Sequence, residues 1–461
     1  MSEIIADLAR TIWTPVLFLI IFGGLFFVIY SRFVQYKYLG HTIDILRGKY
    51  NDPNNPGQIS PYQALATALA STVGMGNIAG VAVAISIGGP GALFWMWVTA
   101  IVGMATNFFT STLSVMYRGK DSAGQIQGGP MYVIREALGK RWYPLAVLFS
   151  VCCLVGCLPI FQANQLTQVI FDMTITTPEM RKSAITLLGQ AVSIPKLIIG
   201  SALMILSGIV IIGGIKRIGY WAGSMVPLMI VVYFVSVLLI LILHIEKVPT
   251  YLWLIISDAF AAQNFRGEPA LGGIVGGLIV TGVRRASFSN EAGIGTAPMA
   301  LGASKSVEPV REGLVSMLSP AIDTLLVCTL TALAILVTDV WRTSGADGVT
   351  LTSLAFESAL GFTGKLLLLI SAFFFAITSL FSYSYYGSKA MSFLTGVKGG
   401  RYYDYFYLLS VILGAVLAMD DVINIIDISF ALMAIPTMLS GLALAPNVME
   451  EARRYFERLK G

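Results

Sequence analysis

Charge is scarce in this sequence. Asp, Glu, Lys and Arg together make up 12% of the residues, against ~25% in an ordinary soluble chain. A water-soluble body of 461 residues could not be covered with so little polar surface. Histidine is rarer still: His41 and His244 are the only two and lie far apart, which argues against a histidine metal centre or a histidine-based catalytic group. The four cysteines, Cys152, Cys153, Cys157 and Cys328, fall inside apolar runs without paired CxxC units. They read as small buried residues and not as a disulfide framework or a zinc site. Polar stretches reach about 25 residues at most, which leaves no room for a soluble domain. The formal net charge of +5 is small for the length and speaks against a nucleic-acid partner.

Apolar residues fill this gap. They make up 56% of the chain, with a mean hydropathy of +0.78, so the expected partner is the lipid bilayer and the fold class is an all-α integral membrane protein. A helix needs ~20 mainly apolar residues to cross the hydrocarbon core. About eleven stretches qualify: 12–31, 61–86, 91–116, 143–171, 196–214, 219–243, 269–283 with its continuation, 313–340, 364–393, 405–419 and 423–446. The run ending at Tyr30 lacks a small-residue cleavage site and reads as a retained anchor. Residues 248–260, with Tyr251, Trp253 and Phe260, suggest an interfacial amphipathic helix, and a similar short helix is expected around 351–360.

Charge placement gives the orientation. Of the 30 basic residues, 22 fall in one alternating set of loops when Arg284 and Arg285 are placed in a loop after the seventh span. This bias predicts an outside amino terminus, a cytoplasmic carboxyl terminus and a multi-pass protein of the cell membrane. The segments then read as an extra amino-terminal helix with a cytoplasmic loop (1–58), two five-helix sets (59–243 and 244–446) and a basic cytoplasmic helix (447–461). An odd-numbered half inverts in the membrane, so ten spans split five and five invite an inverted repeat.

The expected helix breaks are the functional clue. The second span contains Ala70-Ser71-Thr72-Val73-Gly74-Met75-Gly76-Asn77-Ile78-Ala79-Gly80, with three glycines in seven positions. Each interior glycine costs a helix up to ~1 kcal/mol relative to alanine. An unwound segment offers amide N–H groups to a carboxylate and carbonyls to a sodium ion. The competing reading is a packing face of the GxxxG kind at Gly76 and Gly80. A straight helix from 269 to 302 would be about 50 Å long, more than one crossing needs. Its glycine clusters, at 272–277 and at 293–295, are the two candidate break points. Paired breaks five helices apart point to a transporter site at the midplane. No metal-ligand pair, nucleophile motif or cofactor loop accompanies them, so an enzyme is not expected.

Other polar residues at membrane depth carry two readings each. Gln162, Asn164 and Gln165 either contact a substrate or hold helices together. Asp323 is either functional or the partner of a cytoplasmic arginine. Thr378 and Ser379 either donate oxygens to sodium or bond back to their own helix. Asp427 fits a gate and a solvated helix end equally well.

The string Gly88-Gly89-Pro90-Gly91-Ala92-Leu93-Phe94-Trp95-Met96-Trp97-Val98-Thr99-Ala100-Ile101-Val102-Gly103 resembles the signature of the sodium:alanine symporters, also called the alanine-or-glycine:cation symporter family. Gly74 to Gly80, Gln127-Gly128-Gly129-Pro130-Met131-Tyr132 and Phe288-Ser289-Asn290-Glu291-Ala292-Gly293 are similar to the family in the same order. Arg285-Ala286-Ser287 departs from it, where a small residue, Arg and Gly are the pattern. The resemblance implies the leucine-transporter type of fold and sodium-coupled uptake of alanine, and of glycine or other small amino acids, without an organic cofactor. It places one sodium ion on the carbonyls of Ala70, Val73 and Phe375 with Thr378 and Ser379, and a second on Thr72 and Asn77. It gives the substrate to Thr72, Gly74, Met75, Gly76, Asn77 and Gln162, faced by Gly276, Gly277 and Thr281. Asn290, Glu291 and Asp323 become gating or structural polar groups. The alternative on the same fold is proton coupling, with Glu291, Asp323 or Asp427 carrying the proton.

Overall fold

The computed structural model describes all residues except 1, 53, 176, 188–189, 270–272, 418–419 and 461. Gly272, part of the first expected glycine cluster, lies outside the described residues. Helix dominates because an apolar run in lipid must satisfy its backbone within itself. Among the described residues, eight helices are long and apolar enough to cross a membrane, or nine if one bent pair counts as a span.

The first helix, α1 (Ser2–Tyr30), stands before the rest. The bent pair follows as α2 (Pro61–Thr72) and, beyond a break, α3 (Val81–Gly88). Ser60 starts α2 with a capping box to Gln63 and Pro61 at the first helical position, which fixes where the span enters. Then come α4 (Gly91–Met116), α5 (Tyr143–Gly156), α6 (Ile160–Thr174), α7 (Ile194–Ile211) and α8 (Gly214–Leu243). The short α9 (Val248–Ala261) occupies the place of the expected interfacial helix. The second set opens on another interrupted helix, α10 (Gly273–Asn290) and α11 (Thr296–Leu301). It continues through α12 (Pro309–Val337), α13 (Gly348–Thr395), α14 (Val397–Val416) and α15 (Asp420–Ala443). A polar, amphipathic α16 (Ala445–Lys460) ends the chain.

The two sets interlock. α2 packs on α8, α11 and α13, while α4 packs on α10 and on the start of α12. α1 lies outside this body against α15 and α4. The far ends of the two interrupted helices are tied together: Gln58 N–H donates to the Ala303 carbonyl at 2.8 Å and Lys305 N–H to the Ile59 carbonyl at 2.7 Å. The Arg118 guanidinium caps the same place, donating to the carbonyls of Gly302, Ser304 and Ser306 at 2.8, 2.6 and 2.7 Å.

Two expectations gain detail and one changes. The expected span 143–171 is present as one crossing, Lys140–Thr174, interrupted at Cys157, Leu158 and Pro159, where proline supplies no N–H to continue α5. The expected short helix near 351–360 is present as the first part of α13, set off from the expected span 364–393 by Gly361 in left-handed backbone at φ 62°. Arg284 and Arg285 are not in a loop. α10 runs through them to Asn290, because Arg284 pairs with Asp427 of α15 and donates to Asn424 at 3.2 Å, and Arg285 is largely buried. Asp427 is thus a buried member of an ion pair and not a solvated helix end.

Candidate functional site

The chain leaves helical geometry at Val73 (φ −76°, ψ 81°), directly after α2. It then re-enters through a widened, π-type turn at Gly76–Gly80, and the two halves are bent by 46°. Ending a helix inside the protein orphans backbone donors, which must find partners. Here two consecutive amides are satisfied by neutral side-chain oxygens. Gly74 N–H donates to Asn77 Oδ1 at 2.9 Å, and Met75 N–H donates to Gln162 Oε1 of α6, also at 2.9 Å. Gly74 has no room for a side chain: a Cβ would stand 2.4 Å from Ser379 Oγ and 3.3 Å from the Gln162 amide.

Asn77 links this segment to α12. Its Nδ2 donates to Asp323 Oδ1 at 2.6 Å and to the Asp323 carbonyl at 3.2 Å. Asp323 sits in another π-type stretch, Ala321–Cys328; such widened turns often mark functional sites. Its other oxygen accepts from Ser289 Oγ at 2.8 Å and from Thr324 Oγ1 at 2.7 Å. Asn290 Nδ2 then donates to Thr324 Oγ1 at 3.0 Å. One carboxylate therefore joins the break after α2, the last turn of α10 and the middle of α12, and its donors here are neutral. A bare carboxylate buried among neutral donors favours an entering cation or a proton.

The second interrupted helix breaks at 291–295, the later of the two glycine clusters. Glu291 takes left-handed backbone at φ 52°, followed by Gly293 at 84° and Gly295 at 108°. At Gly295 a Cβ would meet Thr437 Oγ1 at 2.5 Å, so both the backbone and the space demand glycine. The Glu291 carboxylate is buried and accepts from the hydroxyls of Thr296 and of Tyr383 on α13.

On α13, Ser379 Oγ donates to the Phe375 carbonyl at 2.9 Å and approaches the Ser71 carbonyl at 3.5 Å. Thr378 Oγ1 donates to the carbonyls of Phe374 at 2.8 Å and Phe375 at 3.2 Å. The hydroxyls bond back along their own helix, and Ser379 also lies against the unwound segment. Ala70, Val73 and Phe375 are fully buried, and α2 packs against α13. Thr72 faces α12 instead, with Ser319 Oγ at 3.4 Å.

The structure thus gathers Gly74, Met75, Gly76, Asn77, Gln162, Asn290 and Asp323 in one region, with Phe288 and Ser289 against Gly76. It does not bring Gly276, Gly277 and Thr281 there. Gly277 packs on the Glu268 carbonyl and Phe265, Gly282 packs on Ala92 and Trp95, and Thr281 bonds back to Gly277. Small residues let these helices approach closely. From Gly277 to Ser289 is about 18 Å along α10 at ~1.5 Å per residue. Asn164 is likewise structural, donating to the carbonyls of Gly414 and Leu417. Ser289, Thr324, Cys328 and Tyr383 belong to the network and are not among the expected site residues; of these, Ser289 lies in the Phe288–Gly293 string. Cys328 Sγ lies 3.2 Å from Ser289 Oγ and 3.3 Å from Asn77 Nδ2.

Comparison with known proteins places this geometry. The model of the sodium:alanine symporter family matches residues 1–461. The sodium/alanine symporter AgcS of Methanococcus maripaludis is 36% identical, with 97% of this chain and 95% of that protein covered. A putative sodium/proton-dependent alanine carrier, YrbD of Bacillus subtilis, is 36% identical over 86% of this chain and 79% of its own length. Among solved structures, MhsT in complex with L-phenylalanine matches with a TM-score of 0.56 at 16% identity, covering 85% of this chain and 90% of that one. This last likeness speaks to the fold, which is of the leucine-transporter type.

Proposed function

The chain belongs to the sodium:alanine symporter family, and on that premise we propose that it carries alanine, with glycine as a second substrate, into the cell together with sodium. It is a multi-pass membrane transporter and not an enzyme. The observation that carries the reading is the pair of adjacent amides, Gly74 N–H and Met75 N–H, held by side-chain oxygens beside a buried carboxylate. A substrate carboxylate replaces the neutral acceptors on these amides and gains charge-assisted bonds. Gln162 then turns its Nε2–H₂ toward the same carboxylate. Asp323 supplies the negative charge that offsets the cation entering with it.

Sodium is assigned to the carbonyls of Ala70, Val73 and Phe375 with the hydroxyls of Thr378 and Ser379, joining α2 to α13; Thr72 and Asn77 are assigned to a second ion. The oxygen-rich junction of α2 and α13, with Ser379 against the Ser71 carbonyl, supports this reading. Binding there favours one of the two access states, and substrate completes the site before the interrupted helices rock as a unit. Residues 59–243 and 244–446 act as the two inverted repeats, with the amino terminus outside and the carboxyl terminus in the cytoplasm. The basic bias of the loops favours that orientation, since 20 of the 30 basic residues remain on one side after Arg284 and Arg285 are removed from the set.

Two variants test these assignments. Gln162→Leu removes a donor to a charged group, which carries ~1.5–3 kcal/mol; the KM for alanine is expected to rise at least tenfold. An unchanged or lower KM would leave Gln162 as a cap of Met75 only. Ser379→Ala is expected to raise the sodium concentration for half-maximal uptake several-fold with little change in thermal stability. An unchanged sodium dependence would remove Ser379 from the ion site. Proton coupling is the second reading, favoured by the buried Glu291 and Asp323 at the two breaks.

A further inference from the structure

A cleft of about 730 Å³ opens where α1 ends, between the short helix Val34–Lys37 and α16. Three cations line it: Arg32, Lys37 and Arg453. All three are exposed, and among the described residues none of them forms an ion pair, although nearby surface charges such as Arg454 and Arg458 do. Glu457 is the one carboxylate in the lining, so the cleft carries a net positive charge. Its inner wall is apolar, made by Phe108, Met449 and Phe456, and Phe456 is stacked on Tyr38.

The placement of the cleft matters as much as its charge. Tyr30 is the last residue of the first crossing helix, so Arg32 and Lys37 stand at headgroup depth. Arg32 and Phe33 both take left-handed backbone, at φ 54° and 60°. That reverses the chain and sends Val34–Lys37 away from the line of α1. Below the mouth, the exposed Phe22, Phe26 and Ile29 form an apolar face on α1. A ligand that fits has a negative headgroup among the three cations and a hydrocarbon tail along α1.

We propose that this cleft binds an anionic phospholipid, whose headgroup ties the end of α1 to the terminal helix α16. A soluble phosphate satisfies the same cations but leaves the apolar wall and the α1 face unused. Basic pockets between membrane helices at headgroup depth recognise anionic lipids in this manner, with each Lys or Arg contributing about a fivefold factor in binding.

The test uses the full chain purified in a neutral detergent. Phosphatidylglycerol is titrated against phosphatidylcholine, with bound lipid read by native mass spectrometry and stability by thermal unfolding. The native protein is expected to retain one phosphatidylglycerol preferentially and to gain several degrees in Tm. The triple variant Arg32→Gln, Lys37→Gln, Arg453→Gln is expected to bind it roughly a hundredfold more weakly at three fivefold factors, and to lose the gain in Tm. Lys37→Gln alone, at an exposed side chain, reads out the same effect at about fivefold if the triple variant does not fold. Arg401→Gln, an exposed cation outside the cleft, is expected to bind as the native protein does. Equal phosphatidylglycerol binding by native and cleft variants would overturn the proposal. So would the same rise in Tm with inorganic phosphate alone, which would make the cleft a soluble-anion site.

Discussion

Replacing Gly74 with alanine is expected to cut alanine uptake at least about fivefold, and up to roughly 150-fold, while the protein still folds and inserts. The added Cβ has to occupy space 2.4 Å from Ser379 Oγ and 3.3 Å from both polar atoms of the Gln162 amide. The backbone at Gly74 does not itself require glycine, since it is absent from the left-handed set. The cost is therefore overpacking, ~1–3 kcal/mol in a well-packed interior, equivalent to about five- to 150-fold. It falls where α2, α6 and α13 meet, on the amide assigned to the substrate and the hydroxyl assigned to sodium. Uptake kinetics and unfolding in detergent together check it. Near-native uptake would mean that Gly74 marks only a close-packing point and not the substrate site.

The second large effect is at Asp323. Asp323→Ala strips the acceptor from Asn77 Nδ2, Ser289 Oγ and Thr324 Oγ1 at once. A buried donor left unpaired costs ~1–3 kcal/mol, so this variant is expected to lose both uptake and several degrees of Tm. Asp323→Asn separates charge from shape. Its remaining oxygen still accepts from Asn77, and the two hydroxyls can turn to accept from the new NH₂. Its Tm is expected to stay close to native while uptake falls below detection. Native uptake by Asp323→Asn would show that the carboxylate is structural and that no negative charge is needed at the π-type stretch of α12. That result, native uptake without the carboxylate, would also exclude Asp323 as the proton carrier in the rival reading.

The sequence reveals the first break well, because Gly74, Gly76 and Gly80 crowd into a span that hydropathy alone would draw as a straight helix. It also offers both possible places for the second break. Choosing 291–295 over 272–277 needs three-dimensional contacts: Gly277 and Gly282 serve the packing of α10 on its neighbours, whereas Gly293 and Gly295 are held at positive φ. Composition cannot separate these two uses of glycine. The placement of Arg284 and Arg285 fails for a related reason. Their spacing from the apolar run resembles a loop, and the partner that keeps Arg284 inside a helix, Asp427, is 143 residues away. Ser289, Thr324 and Tyr383 are ordinary helix residues until the π-type stretch of α12 and the turn at Glu291 aim them at the two carboxylates. Widened turns have no reliable sequence signature, so the polar network around Asp323 could only be half anticipated, from Asn77, Asn290 and Asp323 themselves.

The most direct test is uptake of labelled alanine by the purified protein in proteoliposomes, under an inward sodium gradient, an inward potassium gradient, and a proton gradient without sodium. The account predicts accumulation above equilibrium with the sodium gradient alone. Accumulation driven by protons in the absence of sodium would contradict it, and would move the coupling from the α2–α13 junction to the buried carboxylates Glu291 and Asp323.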